Sequence, residues 1–116
     1  MQLITAQETD IGRIVEIYNS AIPGRLATAD TELATIESKS EWFLGHSKMR
    51  PLYATVSDGK IIGWASFQDF YGRPAYHATA ELSIYVDPKY QNSGTGSRIL
   101  KACLNRTQEI GINTIL

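Results

Sequence analysis

The sequence predicts an α+β chain built on a mixed sheet, with elements in the order βααβββαβ, and three observations carry that expectation. Leu82, Ile84 and Val86 alternate with Glu81, Ser83 and Tyr85, the period of two of a half-buried strand. Ser57-Asp58-Gly59-Lys60 separates two apolar runs and is a strong hairpin signal. After Asp87-Pro88, where proline ends the strand by lacking a donor, comes the polar loop Gln91-Asn92-Ser93-Gly94-Thr95-Gly96. Ile99, Leu100, Cys103, Leu104 and Thr107 then recur at helical spacing, with Arg98, Lys101, Asn105 and Arg106 on the other side. The third unit is therefore strand, glycine loop, helix.

Gln2 to Thr5 reads as a short first strand. Thr9 or Asp10 is placed to cap a helix whose apolar face is Ile11, Ile14, Val15 and Tyr18. Ala21 to Asp30, with Pro23-Gly24, reads as a loop. A second helix starts near Thr35, a threonine followed closely by the acid Glu37, and runs through Trp42 and Phe43 to about His46. Leu52 to Val56 and Ile61 to Asp69 are the arms of the hairpin. Phe70 to Tyr76 carries Gly72 and Pro74 and is expected to bend or loop, and Ala78 to Val86 is the next strand. Ile112 to Leu116 opens a further apolar strand, so the last helix is a crossover that should be right-handed. No internal repeat, linker or low-complexity stretch interrupts this order.

At 116 residues the chain is expected to form one domain, large enough to bury roughly two thirds of its unfolded surface. Its 43% hydrophobic and 20% charged residues indicate a globular, soluble chain. A net charge of -1 gives no case for nucleic acid or an anionic membrane as partner. Cys103 is the one cysteine and sits on the apolar stripe of its helix; with only two separated histidines, no disulfide framework or metal site is expected. There is no signal peptide and no apolar run of membrane-spanning length, which makes the cytoplasm the default expectation.

The glycine loop has a physical use. The first N–H groups of a helix lack internal partners and carry the positive end of its dipole, so they can hold a phosphate. Gly94 and Gly96 let a ligand approach without meeting a Cβ. From Pro88 to Thr107 there are four basic residues (Lys89, Arg98, Lys101, Arg106) and no acidic one, which favours a small anionic ligand. The plainer reading is an ordinary strand-to-helix turn. The loop is not a P-loop, since no lysine follows Gly96, and it lacks the third glycine of a dinucleotide fingerprint.

Gln91 to Gly96, after Val86-Asp87-Pro88, resembles the pyrophosphate loop of the GNAT superfamily of acetyltransferases, Q/R-x-x-G-x-G/A after a strand ending in V-x-P. Ile17-Tyr18-Asn19-Ser20-Ala21-Ile22, Trp42-Phe43, Gly63-Trp64-Ala65-Ser66, and Arg73-Pro74-Ala75-Tyr76 with Thr79, Glu81 and Tyr85-Val86 narrow the likeness to the phosphinothricin acetyltransferase branch. The resemblance implies a GNAT fold and an N-acetyltransferase that moves an acetyl group from acetyl-CoA to a small amino-acid-like amine of the phosphinothricin or methionine sulfoximine type. The family's C-terminal third has no counterpart in these 116 residues, so the fold is expected to be C-terminally incomplete, with its exposed edge covered either by a remaining part of the protein or by a second copy, as a homodimer.

The resemblance also implies roles. An incoming ammonium must lose a proton, and Glu81 matches the branch's glutamate. Between Ala80 and Leu82 it is expected to be partly desolvated, which would raise its pKa; the alternative is a surface glutamate on the outward face of a strand. Ile84, Tyr85 and Val86 would pair with the pantetheine arm through their main chain, and a backbone N–H near Ile84 would meet the developing oxyanion. Gln91, Asn92, Ser93, Gly94, Thr95, Gly96 and Ser97 would hold the pyrophosphate. On the acceptor side Phe67, Phe70, Tyr71 and Tyr76 either wall a pocket or are plain core, and Arg73 either clamps a carboxylate or is an exposed loop residue. The branch has Arg-His where this chain has His77-Ala78, so His77 is a substitute substrate contact or a strand-edge residue. Two other classes stay open: a non-catalytic CoA-binding remnant, and a nucleotide-binding regulatory module.

Overall fold

The alternation along each strand sends neighbouring side chains to opposite faces, so every strand here has to be covered twice. The computed structural model of the chain describes residues 1–20, 35–69, 79–91, 94–112 and 114–115. In chain order it contains β1 (Gln2–Thr5), α1 (Ile11–Ser20), α2 (Ile36–Leu44), β2 (Leu52–Ser57), β3 (Lys60–Asp69), β4 (Thr79–Val86), α3 (Thr95–Leu104) and β5 (Thr114–Ile115). Short 3-10 turns at Glu8–Asp10 and Pro88–Tyr90 precede α1 and α3. This is the order expected. The loops expected at Ala21–Asp30 and Phe70–Tyr76 lie outside the described residues.

The strands form one sheet in the order β1-β2-β3-β4-β5. β1 to β4 are antiparallel neighbours, and β5 runs parallel to β4 after the α3 crossover. Asp58 and Gly59 form the two-residue turn between β2 and β3, both at positive φ, as a hairpin with right-twisted arms requires. Gly63 in β3 marks a close approach: a Cβ there would lie 2.8 Å from the Tyr85 carbonyl oxygen and 3.1 Å from Ile99 Cδ1.

α3 covers one face. Phe67, Ala65 and Tyr53 of the sheet pack there with Ile99 and Cys103 of α3 and with Ile110 and Ile112 beyond it, while Leu82, Ile84 and Val86 of β4 lie against the same cluster. α1 and α2 cover the other face, where Ile14 and Ile17 pack on Leu52, Ala54 and Trp64, bordered by Tyr18, Trp42, Phe43 and Tyr85.

Four local expectations need correction. The chain enters α1 through the 3-10 turn, whose N-cap is Gln7, so Thr9 and Asp10 lie inside that turn rather than at a free helix start; Asp10 reaches back to accept the Gln7 N–H at 2.8 Å. Ile17, not Tyr18, completes the buried face of α1, and Tyr18 instead tilts against Tyr85 at 5.4 Å. α3 buries only Thr95, Ile99 and Cys103, a stripe at i, i+4 and i+8, and it ends at Leu104. Leu100 and Leu104 are 42% and 48% exposed, off the line along which Ile99 and Cys103 meet the sheet. Thr107 lies past the helix and donates its hydroxyl to the Leu104 carbonyl at 2.8 Å. α2, expected to reach about His46, stops at Leu44, and Thr35 caps it by accepting the Ser38 N–H at 3.0 Å.

Candidate active site

β4 decides what the sheet can offer a ligand. Its register with β3 is regular from Gly63 opposite Val86 to Asp69 opposite Ala80. The next rung is set by the Asp87 N–H, which donates to the Ile62 carbonyl at 2.8 Å. In an antiparallel ladder alternate residues bond inward, so Glu81, Ser83 and Tyr85 spend their main-chain groups on β3. Leu82, Ile84 and Val86 then present N–H and C=O to the opposite edge. β5 reaches that edge only at Thr79 and Ala80, and among the described residues no strand pairs with it from Leu82 onward. Of the three residues expected to offer main-chain contacts to a pantetheine arm, Ile84 and Val86 face that edge, while Tyr85 bonds to β3 through its main chain and stacks its ring on Trp64 at 4.6 Å and 23°.

The loop begins at Asp87, whose Oδ1 accepts the Lys89 N–H at 2.9 Å and so caps the Pro88–Tyr90 turn. Gln91 donates its side-chain amide to the Val86 carbonyl at 3.2 Å, pinning the loop to the strand it has just left. Gly94 has φ 80°, a left-handed conformation that side chains with a Cβ resist, and it serves as the N-cap of α3. The first helical bond runs from the Arg98 N–H to the Gly94 carbonyl at 3.0 Å, so the amides of Thr95, Gly96 and Ser97 come ahead of the intrahelical ladder. A Cβ on Gly96 would sit 3.9 Å from Val86 Cγ2, which places the start of the helix against the end of the open edge. No acidic residue occupies the first turn of α3. Asn92 and Ser93 lie outside the described residues.

Glu81 projects with Ser83 and Tyr85 toward the α1/α2 face, directly across from Gln68 of β3. It is exposed, which corrects the expected desolvation. The aromatic cover of Trp64 and Tyr85 lies four residues, about 13 Å, further along the strand and does not reach it. Phe67 is no pocket wall: it is fully buried on the α3 face, edge-on to Tyr53 at 6.2 Å. Phe70, Tyr71, Arg73, Tyr76 and His77 lie outside the described residues.

Two polar pairs on the α1/α2 face have no counterpart in the sequence reading. Just past α2, His46 Nε2 lies 2.6 Å from Ser66 Oγ, while Nδ1 faces the Phe43 carbonyl at 3.3 Å. A proton on Nδ1 satisfies that carbonyl, so Nε2 accepts the Ser66 hydroxyl. Burial holds the His46 pKa below 6.5, and Trp42 packs its edge on the ring at 4.8 Å. The second pair joins Arg13 of α1 to Asp87 at 2.5 Å. The Arg13 hydrogen bond, then the Lys89 N–H, hold the Asp87 carboxyl below its usual range. Burial works against the Arg13 charge, but Asp87 more than offsets it and the guanidinium pKa goes up. The sequence holds one hint of the first pair, since a serine on a strand face among apolar neighbours needs a partner; nothing local names His46 as that partner.

Residues 13–116 match the family model described as Acetyltransferase (GNAT) family. The chain belongs to the GNAT acetyltransferases. It is 45% identical over 117 residues to the Bacillus subtilis protein YwnH, a proposed phosphinothricin acetyltransferase, covering all of this chain and 72% of that protein. A crystal structure of a proposed phosphinothricin N-acetyltransferase superposes with a TM-score of 0.92 at 44% identity, over 98% of this chain and 70% of the other. The GNAT phosphinothricin acetyltransferase of Sinorhizobium meliloti, in complex with acetyl-CoA, superposes with a TM-score of 0.82 at 25% identity, over 93% and 60%. The chain thus spans 60% to 72% of the length of these GNAT proteins. The mixed sheet flanked by three helices is the GNAT fold, as the order βααβββαβ led one to expect.

Proposed function

We propose that this GNAT chain transfers the acetyl group of acetyl-CoA to the amine of a small amino-acid-like acceptor of the phosphinothricin or methionine sulfoximine type. The observation that carries the proposal is the meeting of a main-chain edge, Leu82 to Val86, that no strand pairs with among the described residues, with the Gly94–Ser97 start of α3. An extended arm that ends in a diphosphate fits that pairing of edge and cradle. When bound, acetyl-CoA supplies a thioester, an acyl group already activated for transfer to an amine.

The chain's own residues do the rest. Leu82, Ile84 and Val86 orient the arm by strand-like hydrogen bonds, and Ile84 has an N–H on that edge to stabilise charge on the acyl oxygen. The amides of Thr95, Gly96 and Ser97 hold the diphosphate, with Asn92 and Ser93 as further candidates, while Gln91 secures the loop itself. Glu81 takes the proton from the acceptor ammonium, directly or through a water. Phe70, Arg73, Tyr76 and His77 are the acceptor-side candidates. We read the 116 residues as one N-acetyltransferase domain that works in the cytoplasm as a homodimer, with no metal; the likeness to the phosphinothricin acetyltransferase branch supports that reading.

The test is acetyl-CoA turnover, followed by CoA thiol release, with phosphinothricin, methionine sulfoximine and plain amino acids as acceptors. Turnover of at least one is expected. Binding of CoA without turnover of any would favour a non-catalytic CoA module, and a preference for ATP over CoA would favour a nucleotide-binding one. Gly94→Val forces a β-branched residue to φ 80° and is expected to abolish the thermal shift that CoA gives the parent. A variant with the parental shift would reduce the loop to punctuation. Light scattering checks the dimer.

A further inference from the structure

The Arg13–Asp87 pair joins residues 74 apart in sequence, at the point where β4 ends and the loop to α3 begins. Arg13 sends its donors in three directions. Nε donates to the Ile61 carbonyl at 3.0 Å, Nη2 to Asp87 Oδ2 at 2.5 Å, and Nη1 to Glu16 within α1. One planar group therefore joins α1, the return arm of the hairpin and the end of β4, a task that suits the rigid fork of a guanidinium.

Asp87 is 8% exposed, and each of its four polar atoms has a partner. Its N–H donates to the Ile62 carbonyl and its own carbonyl accepts the Tyr90 N–H, both at 2.8 Å. Oδ1 accepts the Lys89 N–H and Oδ2 accepts from Arg13. Asp87 is thus a fixed corner from which the loop departs, and Gly94 at the head of α3 follows seven residues later. A carboxylate at the entrance to a loop that binds diphosphate is also a liability, since like charges oppose each other across the short distances of a low-dielectric site.

We propose that Arg13 is a positioning residue for the acetyl-CoA site: it acts through Asp87, fixing the corner from which the phosphate loop starts and neutralising the carboxylate that would otherwise repel the diphosphate. This rests on the reading of the α3 N-terminus as the diphosphate site. Arg13 touches neither reacting group, so its effect belongs in acetyl-CoA affinity and not in the chemical step.

The experiment measures the acetyl-CoA Kd by calorimetry, with steady-state kinetics beside it, for the full chain and its variants. Arg13→Met is expected to raise Kd and KM for acetyl-CoA by about tenfold, the loss of one charge-assisted bond, with kcat at saturation and KM for the amine unchanged. Asp87→Asn in the Arg13→Met background removes the stranded charge, keeps an acceptor for the Lys89 N–H, and is expected to recover most of the affinity. Should Arg13→Met fail to fold, Arg13→Lys carries the test: it keeps the charge without the fork and is expected to fall between parent and Arg13→Met. Parental Kd in Arg13→Met, or in Arg13→Lys where only that variant folds, overturns the proposal. So does a double variant as weak as the single, or a loss confined to kcat. A parent that binds no acetyl-CoA would instead overturn the reading beneath it, and this inference with it.

Discussion

The two faces of the sheet use the same strands in different ways. On the α3 face, Phe67, Ala65, Ile99 and Cys103 have no measurable exposure, and the one titratable group among them, the Cys103 thiol, is pushed up by burial to about 11 and stays neutral. On the α1/α2 face the aromatic cluster of Trp64, Tyr85, Tyr18 and Trp42 is interleaved with polar partners. Trp64 Nε1 donates to the Ile14 carbonyl at 3.2 Å, His46 meets Ser66, and Arg13 meets Asp87. Period two divides β4 between the faces: Leu82, Ile84 and Val86 go to the dry side, Glu81, Ser83 and Tyr85 to the polar one. The α3 face therefore sets where the helix N-terminus meets the strand end, with the Arg106 guanidinium over Tyr53 at its rim, while the opposite face carries the Arg13–Asp87 ion pair and the His46–Ser66 contact.

The largest expected effect tests whether Glu81 belongs to the working side of that division. Glu81→Gln should lower kcat by about 10²–10⁴, the range for loss of a general base, and leave the acetyl-CoA Kd alone. Because the residue is exposed, its proposed role rests on position rather than on a protected environment. The loss should shrink at high pH, where more of the acceptor amine is already neutral. Parental turnover at pH 7 would reduce Glu81 to an outward-facing strand residue.

This division is partly legible in the sequence. The alternation in β4, the Asp58-Gly59 turn and the strand–loop–helix unit are each signals carried by residues close together in sequence, and strand, turn and helix formed in the expected order. What depended on tertiary partners was not legible. His46 meets a serine 20 residues away and Arg13 an aspartate 74 away, and no periodicity encodes such pairs. The spacing of Leu100 and Leu104 fits a buried stripe as well as that of Ile99 and Cys103 does, and only the line along which α3 crosses the sheet tells them apart. Phe67 could not be assigned to pocket or core until the register placed it opposite Leu82, on the α3 face.

The next effect falls on the dry face. Phe67→Ala removes a fully buried ring that packs edge-on to Tyr53, and it should cost about 3–5 kcal/mol in urea unfolding. The loss should be the same at every pH between neutrality and mild acid, since no group in its surroundings changes charge there. Activity per folded molecule should persist. A loss no larger than that of a surface substitution would mean that the α3 face is loosely packed, and the contrast between the faces would fail.

The smallest effect falls on the polar face and carries the opposite pH signature. Burial favours the neutral form of His46, so its folded pKa lies below the 6.5 of an unperturbed histidine, which the unfolded chain retains. Above 6.5 neither state holds the proton, and the contribution of the neutral His46–Ser66 contact is fully present. As pH falls through 6.5 the unfolded chain takes up the proton first, so stability drops until pH passes the lower folded value; below that both states are charged and the drop ends. The parent should therefore lose urea resistance between about pH 7.5 and about pH 5.5. His46→Gln keeps a polar group for Ser66 but cannot titrate, so it should lose less over the same interval. His77→Gln is the control, since His77 is the only other histidine in the chain. The effect is small because the ring is only half-buried, and water already offsets part of the cost of charging it. An equal fall in parent and His46→Gln would place the proton uptake elsewhere and leave the α2 side of the sheet as indifferent to pH as the α3 side.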